Sequence, residues 1–118
     1  MPVRSLTQSV LRWPSPEQVL TQARNWAEDQ RRLQPHLIRL GVFGSYGRGD
    51  ASVGSDLDLV LIDTLASGPQ YERLRAWPLD RLPLSCDALV LTPAEFQQLL
   101  AESTRIAQAL KTDLRWLD

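Results

Sequence analysis

Cysteine, histidine and lysine each occur once in these 118 residues. The lone Cys86 excludes an intramolecular disulfide and a cysteine-based zinc cluster, and the lone His36 excludes a multi-histidine metal site. The glycine-rich stretch in mid-chain contains no lysine, so the G-x-x-x-x-G-K-[ST] phosphate loop is excluded as well. Long apolar runs are missing: nothing approaches the roughly 20 residues of a membrane-spanning helix. The N-terminus, MPVRSLTQSVLRWPSPEQ, has no apolar stretch of signal-peptide length. These absences lead to the expectation of a cytoplasmic protein. A net positive charge is missing too. A formal net charge of −1 gives no field to gather a polynucleotide backbone, which disfavours a nucleic-acid partner. A chain this short holds one hydrophobic core, so residues 1–118 are expected to form a single domain.

What is present reads as alternating helices and strands. Residues 1–14 lack periodicity and suggest an arm pinned by Trp13. A helix is expected from SPEQ, where Ser15 caps, Pro16 suits the first helical position and Gln18 completes a capping box. Val19, Leu20, Ala23, Trp26, Ala27 and Leu33 fall on one face of it, and Pro35 ends it. HLIRLGVF predicts a first strand and DLDLVLID a second, with Leu57, Leu59 and Leu61 facing one way and Asp56, Asp58, Val60 and Ile62 the other. YERLRAWPLDRL predicts a short helix broken near Pro78. LSCDALVLT predicts a third strand, followed by a helix capped by Thr92 and Glu95. An apolar stripe then runs from Phe96 to Leu117 with a break near Ser103 and Thr104. The expected class is α+β (α/β): a small sheet covered by helices on both faces. Trp26 reads as core; Trp13, Trp77 and Trp116 are candidate interface anchors.

The stretch GVFGSYGRGDASVGSDLDLVLID carries the chemistry. Asp56 and Asp58 stand about 7 Å apart at the backbone with side chains on the same side of a strand. Two like charges there raise each other's proton affinity and cost stability unless a cation lies between them. Hard oxygen donors with no histidine or thiol beside them favour magnesium or manganese over zinc. Magnesium usually combines one or two carboxylates with substrate phosphates, which calls for a phosphate cradle. Gly44 and Ser45, at the end of the preceding strand, supply one: a backbone that phosphate oxygens can approach, and a hydroxyl donor. Arg48 lies one turn on, within reach of a phosphate, although a solvated surface role competes. Ser55 either orients a carboxylate or serves its turn. Asp50 and Asp63 read as loop residues, His36 as a strand-entry residue and Cys86 as packing.

Strand, Gly-Ser, ten residues and D-x-D on a strand together resemble the nucleotidyltransferase superfamily that includes DNA polymerase β. GSYGRGDASVGSDLDLVLI is similar to its smallest members, the minimal nucleotidyltransferases, with the pattern G-S-x-A-R-G, spacer, S-D-x-D-L. The likeness spans about residues 37–92 and departs from the pattern at Gly47, where alanine is usual. It implies a palm-like mixed sheet and a third carboxylate, which Asp87 in SCDALVLT matches. By resemblance, Asp56 and Asp58 bind two magnesium ions, Asp87 binds one and helps deprotonate the acceptor, and Gly44 and Ser45 hold the triphosphate.

The expected activity is transfer of a nucleoside monophosphate, from ATP or another nucleoside triphosphate, to an acceptor hydroxyl. Little chain is left to grip that acceptor, so a second copy or a partner protein is expected to supply part of its site. Minimal members of this type (MntA-like antitoxins) are commonly paired with a small all-helical HEPN-type toxin, in some cases adenylylating its tyrosine. The resemblance implies the same setting here. The alternative is a noncatalytic module that binds nucleotide or partner and neutralises a HEPN-like toxin by stoichiometric contact.

Overall fold

The computed structural model describes residues 14–117. Trp13 and nearly all of the expected N-terminal arm lie outside the described residues. The first helix, α1 (Pro16–Leu33), starts as its capping box dictates: Ser15 Oγ accepts from the Gln18 N–H, and Gln18 Oε1 accepts from the Ser15 N–H. Strand β1 (Leu37–Phe43) leads into a five-residue helix α2 (Gly44–Arg48), and a loop leads to β2 (Leu57–Asp63). Helix α3 (Gln70–Leu74), a 3-10 turn (Leu79–Arg81) and β3 (Cys86–Leu91) follow, then α4 (Pro93–Leu100), α5 (Arg105–Asp113) and β4 (Arg115–Trp116).

The four strands form one mixed sheet in the order β3-β2-β1-β4. β1 is antiparallel to both β2 and β4, whereas β2 and β3 are parallel, joined by a crossover that includes α3. The alternation predicted along β2 holds. Leu57, Leu59 and Leu61 pack with Leu40, Val42 and Val90 against Val19, Ala23, Trp26 and Ala27 of α1. Val60 and Ile62 face the other way and pack with Phe43 and Leu91 against Phe96 of α4 and Leu110 of α5. Each fully buried leucine stabilises the fold by about 1.5–3 kcal/mol relative to exposure, so a one-residue slip of β2 would forfeit both layers.

Some expectations are corrected. The stripe reaching Leu117 is not one helix: α5 stops at Asp113, and Arg115 and Trp116 turn back as β4 to pair with Val42 and Gly41. The edge of β1 would otherwise present unpaired backbone groups. Leu33, expected on the buried face of α1, is exposed. Asp63 ends β2 and is buried; its Oδ1 lies 2.5 Å from His36 Nδ1 and accepts from the Leu65 N–H. Trp77 is buried in the α1-side core and Trp116 packs edge-on to Phe96 beneath Arg39, so neither stands free as an anchor. Among the described residues, no helix is long and apolar enough to cross a membrane.

Candidate active site

The parallel register of β2 and β3 sets Asp58 directly beside Asp87. Side chains alternate across a strand, so the two carboxylates share the face that carries Val60, Ile62 and Leu91. There a cavity of about 230 Å³ is lined by Asp58, Asp87, Phe43, Ala88, Leu89 and, from α5, Ile106.

Phe43 pairs with Asp58 across the β1–β2 ladder, which brings the start of α2 to the same point. Gly44 has φ of +65°, and a Cβ placed on it would stand 2.3 Å from Asp58 Oδ2. Only glycine meets both demands: the left-handed backbone, and the contact with a carboxylate oxygen. The turn that was read as a phosphate cradle is therefore built against one of the paired acids. The Ser45 carbonyl closes the short helix, accepting from the Gly49 and Asp50 N–H groups at 3.0 and 3.1 Å.

Asp58 is half-buried, and its carboxyl is pushed above the ordinary carboxylate range, first by burial, then by the charges of Asp87 and Asp56, with Arg48 opposing. This conflict invites a cation. Asp56 lies one residue before β2, exposed, flanking the pair instead of lining the cavity. Among the described residues, no three His, Cys, Asp or Glu side chains are disposed to hold a metal ion. The expected trio is thus a close pair plus a neighbour. This donor set fits magnesium, which takes one or two protein carboxylates and completes its shell with water and substrate phosphate.

Two further expected residues are engaged locally. Arg48 donates through Nε to Asp50 Oδ2 and through Nη1 to Asp113 Oδ2, both at 3.1 Å. Ser55 Oγ accepts from the Ser52 N–H at 3.1 Å and serves its turn. Asp113 and Ile106 escaped the sequence reading. Asp113 follows Leu110 at helical spacing on the buried face of α5, and an acid in an apolar stripe was the available signal.

A family model described as the nucleotidyltransferase domain matches residues 24–111, which include every strand and acid of the site. The chain belongs to the nucleotidyltransferase domain family. No curated protein matches it in sequence. Several solved structures share the nucleotidyltransferase fold. A candidate nucleotidyltransferase from Sulfolobus solfataricus superposes with a TM-score of 0.63 at 20% identity, covering 86% of this chain and 80% of that one. A toxin–antitoxin structure with AMP-PNP gives 0.52 at 24% identity, covering 80% and 72%. A mutant MntA–HpeT toxin–antitoxin structure gives 0.51 at 18% identity, covering 80% and 71%. This nucleotidyltransferase domain departs from the minimal-family pattern at Gly47, and the reason is steric: a Cβ there would stand 2.0 Å from the Asp113 carbonyl oxygen.

Proposed function

We propose that this nucleotidyltransferase moves a nucleoside monophosphate, AMP from ATP, onto a hydroxyl of a partner protein, a small helical HEPN-type toxin that it neutralises. The observation that carries the reading is the pairing of Asp58 and Asp87 at one cavity, with Gly44 packed against the Asp58 carboxylate. Asp58 and Asp87, with Asp56 at their flank, would hold magnesium, which when bound neutralises phosphate charge and lowers the proton affinity of the acceptor hydroxyl. The fold shared with toxin–antitoxin structures, one of them with AMP-PNP, supports the choice of partner and nucleotide.

The chain's own groups then have separate tasks. Gly44 and Ser45 receive the triphosphate at the start of α2, where the absent side chain lets backbone amides approach it. Phe43 and Ile106 bound the cavity on its apolar side and exclude water from the reacting phosphate. The acceptor oxygen forms a bond to the α-phosphorus as the bond to pyrophosphate breaks. Asp87, the more exposed acid of the pair, takes the hydroxyl proton as general base. Asp58, held in the groove beside Gly44, would hold the magnesium that neutralises the phosphate charge.

The chain is incubated with labelled ATP, magnesium and the product of the adjacent gene, and intact mass spectrometry shows which polypeptide gains AMP. The expected result is AMP on a hydroxyl of the partner, abolished in Asp87→Asn. A partner that forms the complex yet stays unmodified would replace catalysis with stoichiometric neutralisation.

A further inference from the structure

Asp113 is out of place twice: it is buried, and as the last residue of α5 it faces the negative end of that helix. Its partners account for it. Oδ2 accepts from Arg48 Nη1 at 3.1 Å, while Oδ1 lies 3.0 Å from Thr112 Oγ1 and shares that hydroxyl's one proton with the Gln108 carbonyl at 2.8 Å. The backbone joins in, because the Asp113 carbonyl oxygen occupies the space that a Cβ on Gly47 would fill. Helix α2 is therefore gripped at two consecutive residues by the end of α5. At only five residues it is too short to hold itself, so its position is set by Tyr46, buried in the α1-side core, by these anchors at its C-terminal end and by Gly44 against Asp58 at its other end.

Arg48 keeps capacity beyond its two acids. Of the five N–H donors of a guanidinium, one goes to Asp50 and one to Asp113. The remainder are available on a side chain that is 49% exposed. Asp50 and Asp113 also restrain its charge from collapsing onto the acids of the cavity, one of which already feels it.

We propose that Asp113 is a positioning residue of the nucleotide site: it anchors α2 and aims Arg48, so that the Gly44–Ser45 turn and the guanidinium meet the triphosphate of a magnesium nucleotide together. This rests on the nucleotidyl-transfer reading.

A double-mutant cycle on the full chain tests it, read as the Kd of AMP-PNP with magnesium for Asp113→Asn, Arg48→Gln and their combination. Each variant is first checked for a cooperative thermal transition. Each single substitution is expected to weaken binding about tenfold, the scale of one charge-assisted hydrogen bond. The double variant should be no weaker than the worse single one. A merely structural Asp113 would lower Tm and leave the Kd of the folded chain unchanged. Wild-type affinity in Asp113→Asn, or losses that multiply in the double variant, overturns the positioning role while the nucleotide reading stands. Absence of binding by the wild-type chain overturns both. Should Asp113→Asn not fold, Asp113→Ser, smaller than the native side chain and without its charge, takes its place in the cycle. There, an affinity equal to wild type, or a loss that multiplies with that of Arg48→Gln, overturns the proposal.

Discussion

Asp58 shows how a single side chain can be worse for the fold than for the function. Its folded proton affinity is raised by burial, then by Asp87 and Asp56, above the ordinary value of 3.8. The folded chain thus binds that proton more tightly than the unfolded chain does. Stability falls as pH rises from 3.8 through the raised value, and the cost is fully present above it. Asp58→Asn is therefore expected to raise Tm at pH 7 in metal-free buffer and to flatten the pH dependence of Tm in that window. The same variant should lose at least the roughly 10–100-fold in activity that follows removal of an outer-shell metal partner. A lower Tm in Asp58→Asn would show that the carboxylate is satisfied in some other way. Gly47 carries the opposite lesson. Alanine in a helix is favoured over glycine by about 1 kcal/mol, and the family pattern has alanine there. In this chain the contact at 2.0 Å is with backbone, which cannot rotate away. Gly47→Ala should destabilise by about 1–3 kcal/mol as an overpacked site, seen as a lower urea midpoint. Stabilisation by the propensity difference would mean that α2 and α5 do not meet this closely.

At the level of elements, the linkage of α3 to β3 and α4 gives the sheet edge its cover. Gln70 bonds both the N–H and the C=O of Val90 at 2.9 Å, as a neighbouring strand would. Arg73 forks onto both oxygens of Glu95, at 2.7 and 2.9 Å, and reaches the Val90 carbonyl. Glu95 also completes the capping box of α4 by accepting from the Thr92 N–H. The Arg73 hydrogen bond, followed by the Thr92 backbone contact, holds the Glu95 carboxyl down at about 2, from 4.5. Its folded affinity for a proton is lowered, so its stabilisation is present above about 4.5 and is lost as pH falls towards 2. Glu95→Gln is expected to lower Tm at pH 7 and to narrow the difference from wild type as the pH is lowered through this window. A constant difference would assign the effect to packing. Elements with strong local signals were legible in the sequence: capping boxes marked the starts of α1 and α4, and alternation gave β2 its faces. β4 was not, because two residues are too few to show a period. Arg115 and Trp116 are a strand only because the edge of β1 needs a partner. The Asp63–His36 contact was likewise invisible, since it joins positions 27 residues apart.

On the scale of the whole molecule, the fold places the acids where three local features meet. β1 ends, β2 and β3 begin in parallel register, and Ile106 of α5 bounds the cavity beside them. Asp58 and Asp87 could be named from D-x-D and from a lone acid in an apolar strand, but their adjacency follows from parallel pairing, which no spacing encodes. For the same reason Arg48 could be read as a phosphate contact while its ties to Asp50 and Asp113 could not. The assembled site is incomplete electrostatically, with like charges paired and one arginine already engaged, and on the proposed reading magnesium together with a triphosphate would supply what is missing. Neither component alone balances the site: the nucleotide adds negative charge to a cluster of acids, and the ion lacks the phosphate oxygens that would fill its shell. Stabilisation should therefore be synergistic. With magnesium and AMP-PNP at about 100 times Kd, linkage gives about 2.7 kcal/mol, or a rise in Tm of roughly 10 °C for a chain of this size. Either component alone at the same concentration should give a small fraction of that, and Asp58→Asn should abolish the synergy even though its own metal-free Tm is higher. Equal shifts from nucleotide with and without magnesium would place nucleotide binding away from the carboxylates and leave their repulsion without a purpose.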